Sequence, residues 1–239
     1  MPAMKNSGSE KATVREDATS EENKKRAPGL RLLARANLPM ILADYPFDHS
    51  DWQERSPIEL PEELIEHEWW QLLCELPETD NIWIGNLNET GDPRFANRFR
   101  TVKDWLQTER RCPGPFICPA HFKPGAYERS NANVVQNRFL TVESDTLTKD
   151  EVSSVFLWLK ESWHLVAVVD TGNKSLHGWF QRPADLKPGE FAEAKIVLES
   201  LGCDGAMFKP AQATRLPGWV REDTHLYQTL LYLDHMASL

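Results

Sequence analysis

The sequence predicts an α+β fold, in which an N-terminal α/β module over residues 29–134 packs on a βαββαβ module over residues 135–239. Three observations lead there. Apolar residues recur at helical spacing in some segments and alternate with polar ones in others, so both element types are present. After Asn137 the order is strand, helix, strand, strand, helix, strand, which is the ferredoxin-like or RNA-recognition-motif-like arrangement. Residues 1–28 are polar, mixed in charge and nearly free of large apolar side chains. They are expected to form a disordered tail, with the folded part starting near Leu30.

In the first module, "SPIELPEELIEHEWWQLLCEL" sets Leu64, Ile65, Trp69, Leu72, Leu73 and Leu76 at helical spacing, with Ser56 as a candidate N-cap. The Trp69–Trp70 pair reads as core and surface packing. "NIWIG" is a short strand ending at Gly85, "TVKDWLQTERR" a helix, and "GPFICPAHF" an extended segment broken by prolines. In the second module "RFLTVESD" alternates as a strand does. "LTKDEVSSVFLWLKES" follows as a helix with Thr148 at the N-cap and Glu151 in the capping-box position; Val152, Val155, Phe156 and Leu159 share one face. "HLVAVVDT" is a second strand that turns through "TGN" into a third, "KSLHGWF". "KPGEFAEAKIVLESLG" is a second helix closed by Gly202, and "AQATRLP" is the expected last strand.

With 239 residues, 41% of them hydrophobic, the chain is long enough for a substantial core. No apolar run approaches the roughly 20 residues that span a bilayer, and the N-terminus has no signal-peptide apolar region, so a cytoplasmic protein with no membrane partner is expected. The four scattered cysteines then read as reduced thiols. Cys112, Cys118 and His121 do not have a usual zinc spacing and would need a fourth ligand such as Cys74, so they are read as structural. The net charge of −9 argues against coating nucleic acid nonspecifically, yet leaves room for an enzyme acting on it through a local basic surface. A basic bias runs from Arg94 to Arg138, and a solvated face is its simplest explanation.

Alternation with period two sorts the side chains of the second module. Leu140, Val142, Leu176 and Phe180 should face the helices, leaving Thr141, Glu143, Asp145, Ser175, His177 and Trp179 on an uncovered face. Glu143 and Asp145 would stand about 7 Å apart on that face, two hard oxygen ligands suited to Mg²⁺ or Mn²⁺. Lys174 and the Ser175 hydroxyl beside turn amides suit phosphate oxygens. Asp204 follows the second helix as a third acid, and Arg215 could reach a phosphate from the neighbouring strand. Two other motifs in the same stretch do not hold. Asp170-Thr171-Gly172 resembles the aspartic-protease tripeptide but lacks a second copy to share a proton, so it reads as a turn. "GNKS" lacks the glycine before lysine and the following helix of a phosphate loop.

Taken in order, "VESD", "TGNKSLHGWF", "GCD" and "TRLPG" resemble the archaeo-eukaryotic primase superfamily, most of all the primase-polymerases of bacterial genomes and mobile genetic elements. The likeness is strong over Arg129–Arg221 and weaker over Leu30–Glu128. It implies a DNA primase or primase-polymerase that joins nucleotides on a single-stranded DNA template by nucleotidyl transfer. Glu143, Asp145 and Asp204 would hold two Mg²⁺ or Mn²⁺ ions. Lys174, Ser175, His177 and Arg215 would hold the phosphates of a nucleoside triphosphate, with Arg129 in the same pocket. The first acid is Glu143 where many members carry Asp. The alternative is a catalytically weak, primase-like subunit that binds nucleotide or DNA within a replication or defence complex. Members often carry a helicase or accessory priming domain; here the sequence ends at Leu239, soon after the core, so initiation is expected to need a partner chain.

Overall fold

The structure, a computed structural model, describes residues 36–60, 62–183 and 186–237, so the tail expected over 1–28 lies outside the described residues. Five helices are present among them: α1 (Leu38–Asp44), α2 (Glu68–Cys74), α3 (Val102–Thr108), α4 (Lys149–Lys160) and α5 (Pro188–Ser200). The strands are β1 (Asn81–Gly85), β2 (Phe99–Thr101), β3 (Phe116–Cys118), β4 (His121–Phe122), β5 (Val134–Gln136), β6 (Phe139–Val142), β7 (Leu165–Asp170), β8 (Leu176–Gln181), β9 (Thr214–Arg215) and β10 (Thr229–Leu233). They form two four-stranded sheets, ordered β2-β1-β3-β9 and β10-β7-β8-β6, and a small β4-β5 ribbon. Every pairing is antiparallel. The class is α+β.

Local chemistry explains the best-defined elements. Thr148 accepts the N–H of Glu151 while the Glu151 carboxylate accepts the N–H of Thr148, a reciprocal capping box that starts α4. Val152, Val155, Phe156 and Leu159 of α4 and Ala194 and Leu198 of α5 then pack on Leu140, Val142, Leu176 and Phe180. That is the face alternation assigns to the helices. Gly178 sits in β8 under Phe156, and a Cβ there would stand 2.9 Å from ring carbons of Phe156. The strand can approach α4 this closely only without a side chain.

Four expectations are corrected. The other face of the second sheet is covered: Phe139, Val166, Val169 and Trp179 share a core with Ile82 and Ile84 of β1, Val102 and Trp105 of α3, and Ile117 of β3. Thr141, Glu143 and His177 are accordingly buried. Trp179, fully buried, is the reason a lone helical layer does not suffice: an indole of that size demands a second apolar surface. The "AQATRLP" strand does not close the second sheet; Thr214 and Arg215 pair with Ile117 and Phe116 of the first. The edge beside β7 is taken by β10, whose bulge between Leu230 and Tyr232 interrupts the alternation that would mark a strand. Ser56 caps no helix: its hydroxyl donates to Ile58 O at 2.6 Å and accepts Leu233 N–H at 2.9 Å. The expected helix is α-helical only from Glu68, because the preceding 3-10 turn Glu62–His67 breaks at Leu64 (φ −119°, ψ 28°), which leaves Leu64 exposed.

Candidate functional site

The three acids meet where β6 ends. Val142 is the last paired residue, opposite Gly178. The chain then turns on Ser144, whose hydroxyl donates to Gly202 O at 2.6 Å and accepts Leu147 N–H at 3.0 Å. This ties the turn to the end of α5, and Asp204 N–H donates to Glu143 O at 2.9 Å. Asp204 also accepts Ala206 N–H at 2.8 Å, which fixes its carboxylate at the head of the 3-10 turn Gly205–Phe208. One oxygen from each of Glu143, Asp145 and Asp204 lies within 4.8 Å of the others. Such a set of hard oxygen donors could hold a metal ion.

β8 carries His177 to the same place, and β9 of the other sheet carries Arg215. His177 Nε2 lies 2.6 Å from Glu143 Oε2. Its Nδ1 accepts Arg215 N–H at 3.2 Å and also meets the Thr214 hydroxyl. Burial would push the Glu143 carboxyl up; the hydrogen bond and attraction of His177, with Arg215 nearby, outweigh it and hold the carboxyl below its ordinary range. The Arg215 guanidinium lies 4.2 Å from the centre of the Phe116 ring and donates to Gln228 Oε1 at 3.1 Å. Its burial, and then the like charge of Arg221, bring its pKa down to about 10. It stays a cation at neutral pH.

The β7–β8 turn completes the wall. Asp170 accepts Lys149 Nζ at 2.6 Å and Gly172 N–H at 2.9 Å, and Thr171 N–H and Oγ1 both donate to Ser175 O. Asp170-Thr171-Gly172 is therefore a turn, with Gly172 at φ +68°. Beyond it Lys174 is exposed and makes no ion pair among the described residues. A cleft of about 290 Å³ opens between the two sheets, and Glu143, Asp145, Lys174, Ser175, His177 and Arg215 all line it.

Arg129 does not line this cleft. It donates to Ala211 O at 2.8 Å, one residue before the Gln212–Ala213 stretch that does, with its guanidinium over Trp83. Arg221, in contrast, lines the cleft and was not anticipated. Asp223 grips its Nε at 2.7 Å and Nη2 at 2.5 Å, and its Nη1 donates to Thr171 O at 3.3 Å. The sequence cue was the second arginine six residues after Arg215, masked by an adjacent acid that suggests an ordinary surface pair.

Among the described residues one further group, Asp48, His49 and Asp150, has metal-holding spacing, and no cysteine belongs to either group. Cys118 is buried and its thiol is pushed up to about 12 by that burial. No helix among the described residues is long and apolar enough to cross a membrane. Comparison of the chain with family models, with curated proteins and with solved structures returns no match.

Proposed function

We propose that the protein is a cytoplasmic, metal-dependent nucleotidyltransferase of the DNA primase or primase-polymerase type, joining nucleotides on a single-stranded DNA template. The observation that carries this reading is the charge layout of one cleft. Glu143 and Asp145 line it, with an oxygen of Asp204, which is not among the lining residues, within 4.8 Å of theirs; the cations Lys174 and Arg215 line the same cleft, as does Arg221, which is paired with Asp223. Acids alone suit a cation and cations alone suit an anion; both together suit a metal-bound polyphosphate. The resemblance of "VESD", "TGNKSLHGWF", "GCD" and "TRLPG" to the archaeo-eukaryotic primase superfamily points the same way. The order β6-β8-β7 supports an RNA-recognition-motif-like module in part; β10 adds at the β7 edge, and β6, where the fourth strand of that arrangement would pair, is the other edge.

In this reading Glu143, Asp145 and Asp204 would hold Mg²⁺ or Mn²⁺. Bound there, the metal would lower the pKa of the attacking 3′-hydroxyl and offset charge on the leaving pyrophosphate. The hydroxyl oxygen, its proton passing to solvent, would bond to the α-phosphorus as the bond to the α–β bridging oxygen breaks and pyrophosphate leaves. Lys174 and Arg215 would balance charge on the triphosphate and then on the pyrophosphate, and Arg221, paired with Asp223, would donate from the same wall. Ser175 offers a hydroxyl to a phosphate oxygen. His177 fixes one oxygen of Glu143, so the carboxylate meets the metal in one orientation.

The test is primer synthesis on a single-stranded template with nucleotides and Mg²⁺ or Mn²⁺. Product from the wild type and its loss in Asp145→Ala are expected. No product, or undiminished product in the variant, would overturn the reading. The engagement of Glu143 by His177 favours a second reading, a catalytically weak nucleotide- or DNA-binding subunit, which predicts nucleotide binding without synthesis.

A further inference from the structure

A second surface has a different character from the cleft and shares no lining residue with it. Two adjoining grooves, about 460 Å³ and 430 Å³, meet at His67 and Arg110. Leu64 and Trp70 line the first, Val220 and Tyr227 the second, and all four are exposed large apolar side chains. Leu64 stands at the break in the 3-10 turn, Trp70 on α2, and Val220 and Tyr227 face each other across a backbone bridge. An apolar surface of this kind, rimmed by polar groups, is what protein partners cover.

Charge decides the kind of partner. Of the nine basic residues from Arg94 to Arg138, four are in ion pairs, Arg94 with Asp92, Arg98 with Glu89, Arg100 with Glu109 and Arg138 with Asp80, and Lys123 and Arg129 donate to backbone carbonyls. Arg110 and Arg111, both exposed, make no ion pair or hydrogen bond among the described residues, and both line the second groove. We infer that these grooves dock an acidic, apolar segment of another protein, its bulky side chains against Trp70 and Tyr227 and its carboxylates against Arg110 and Arg111. A nucleic-acid strand fits less well. Leu64 and Val220, which make up the aliphatic part of the exposed lining, offer no flat face for a base. A second copy fits less well too, because a two-fold contact would bring the Arg110–Arg111 pairs together. The docking is independent of the chemistry proposed for the cleft.

The experiment pans the full chain against a display library of short random peptides, then titrates the enriched peptides, fluorescein-labelled, by anisotropy. The proteins are the wild type, Trp70→Ala, the double variant Arg110→Glu/Arg111→Glu, and Arg215→Ala as a cleft control, each checked for fold by circular dichroism. Enriched peptides should combine bulky apolar residues with Asp or Glu. Affinity should fall about tenfold or more in the first two variants and stay unchanged in the control. If Trp70→Ala does not fold, the exposed arginine pair carries the test. No enrichment, peptides without acids, or affinities unmoved by the arginine variant would overturn the inference. So would oligothymidylate binding that the same variants abolish, or a dimer of this chain that Trp70→Ala dissolves.

Discussion

Glu68 shows how much one buried side chain can carry outside the cleft. It opens α2, is 4% exposed, and accepts Leu230 N–H at 2.6 Å next to the bulge of β10. Burial pushes its pKa up to about 8, against the opposing pull of that hydrogen bond. The folded protein thus keeps a proton that the unfolded chain releases at the ordinary carboxylate value. Stability from this group is complete below the unfolded pKa and is lost as pH rises towards about 8. Glu68→Gln keeps an acceptor for Leu230 and has no proton to lose. Thermal melts should match the wild type near pH ~4, and the variant should melt higher at pH 8. An unchanged difference across that range would refute the account. Glu143 is the opposite case, a buried carboxyl held ionised by His177, and the contrast follows from what each one faces.

At the scale of elements, β8 passes close beneath α4 at Gly178, where an added Cβ would stand 2.9 Å from ring carbons of Phe156. Gly178→Ala should overpack this contact and cost about 1–3 kcal/mol in urea unfolding, with partial recovery when Phe156→Leu is added. Elements of this kind are also where the sequence could be read. The capping box at Thr148 and Glu151, the helix face of α4 and the β7–β8 turn are local, and each is specified by residues a few positions apart. So is the placement of His177 along β8 and of Lys174 and Ser175 at the turn before it, whereas Glu143 and Asp145 lie past the end of β6 in a turn that Ser144 ties to Gly202. What stayed hidden is long-range. A covered and an open sheet face present the same alternation, and only the bulk of Trp179 hints at the difference. Ser56 looks like a cap, yet its partner Leu233 lies 177 residues away. Arg221 carries its own counter-ion and so resembles a surface pair until the turn at Thr171 is beside it.

For the whole molecule, the decisive feature is that the cleft belongs to neither sheet alone. Glu143 and His177 come from the second sheet and Arg215 from β9 in the first, with His177 Nδ1 bonded to Arg215 N–H across the join. A fragment ending at residue 134 would lack β9 and the Trp179 side of the shared core. It should remain unfolded by NMR amide dispersion, whereas the full chain should unfold in one transition by circular dichroism and tryptophan fluorescence alike. The β3–β9 pairing also sets an order of events during synthesis. Ile117 and Phe116 leave the ribosome almost a hundred residues before Thr214 and Arg215, their partners in the ladder. Until then the first sheet has an open edge at β3 and an uncovered apolar face, a surface prone to pairing with other chains. Translation of the last segment, rather than of the first module, is the step that ends this exposure, and the same step brings Arg215 to the carboxylates.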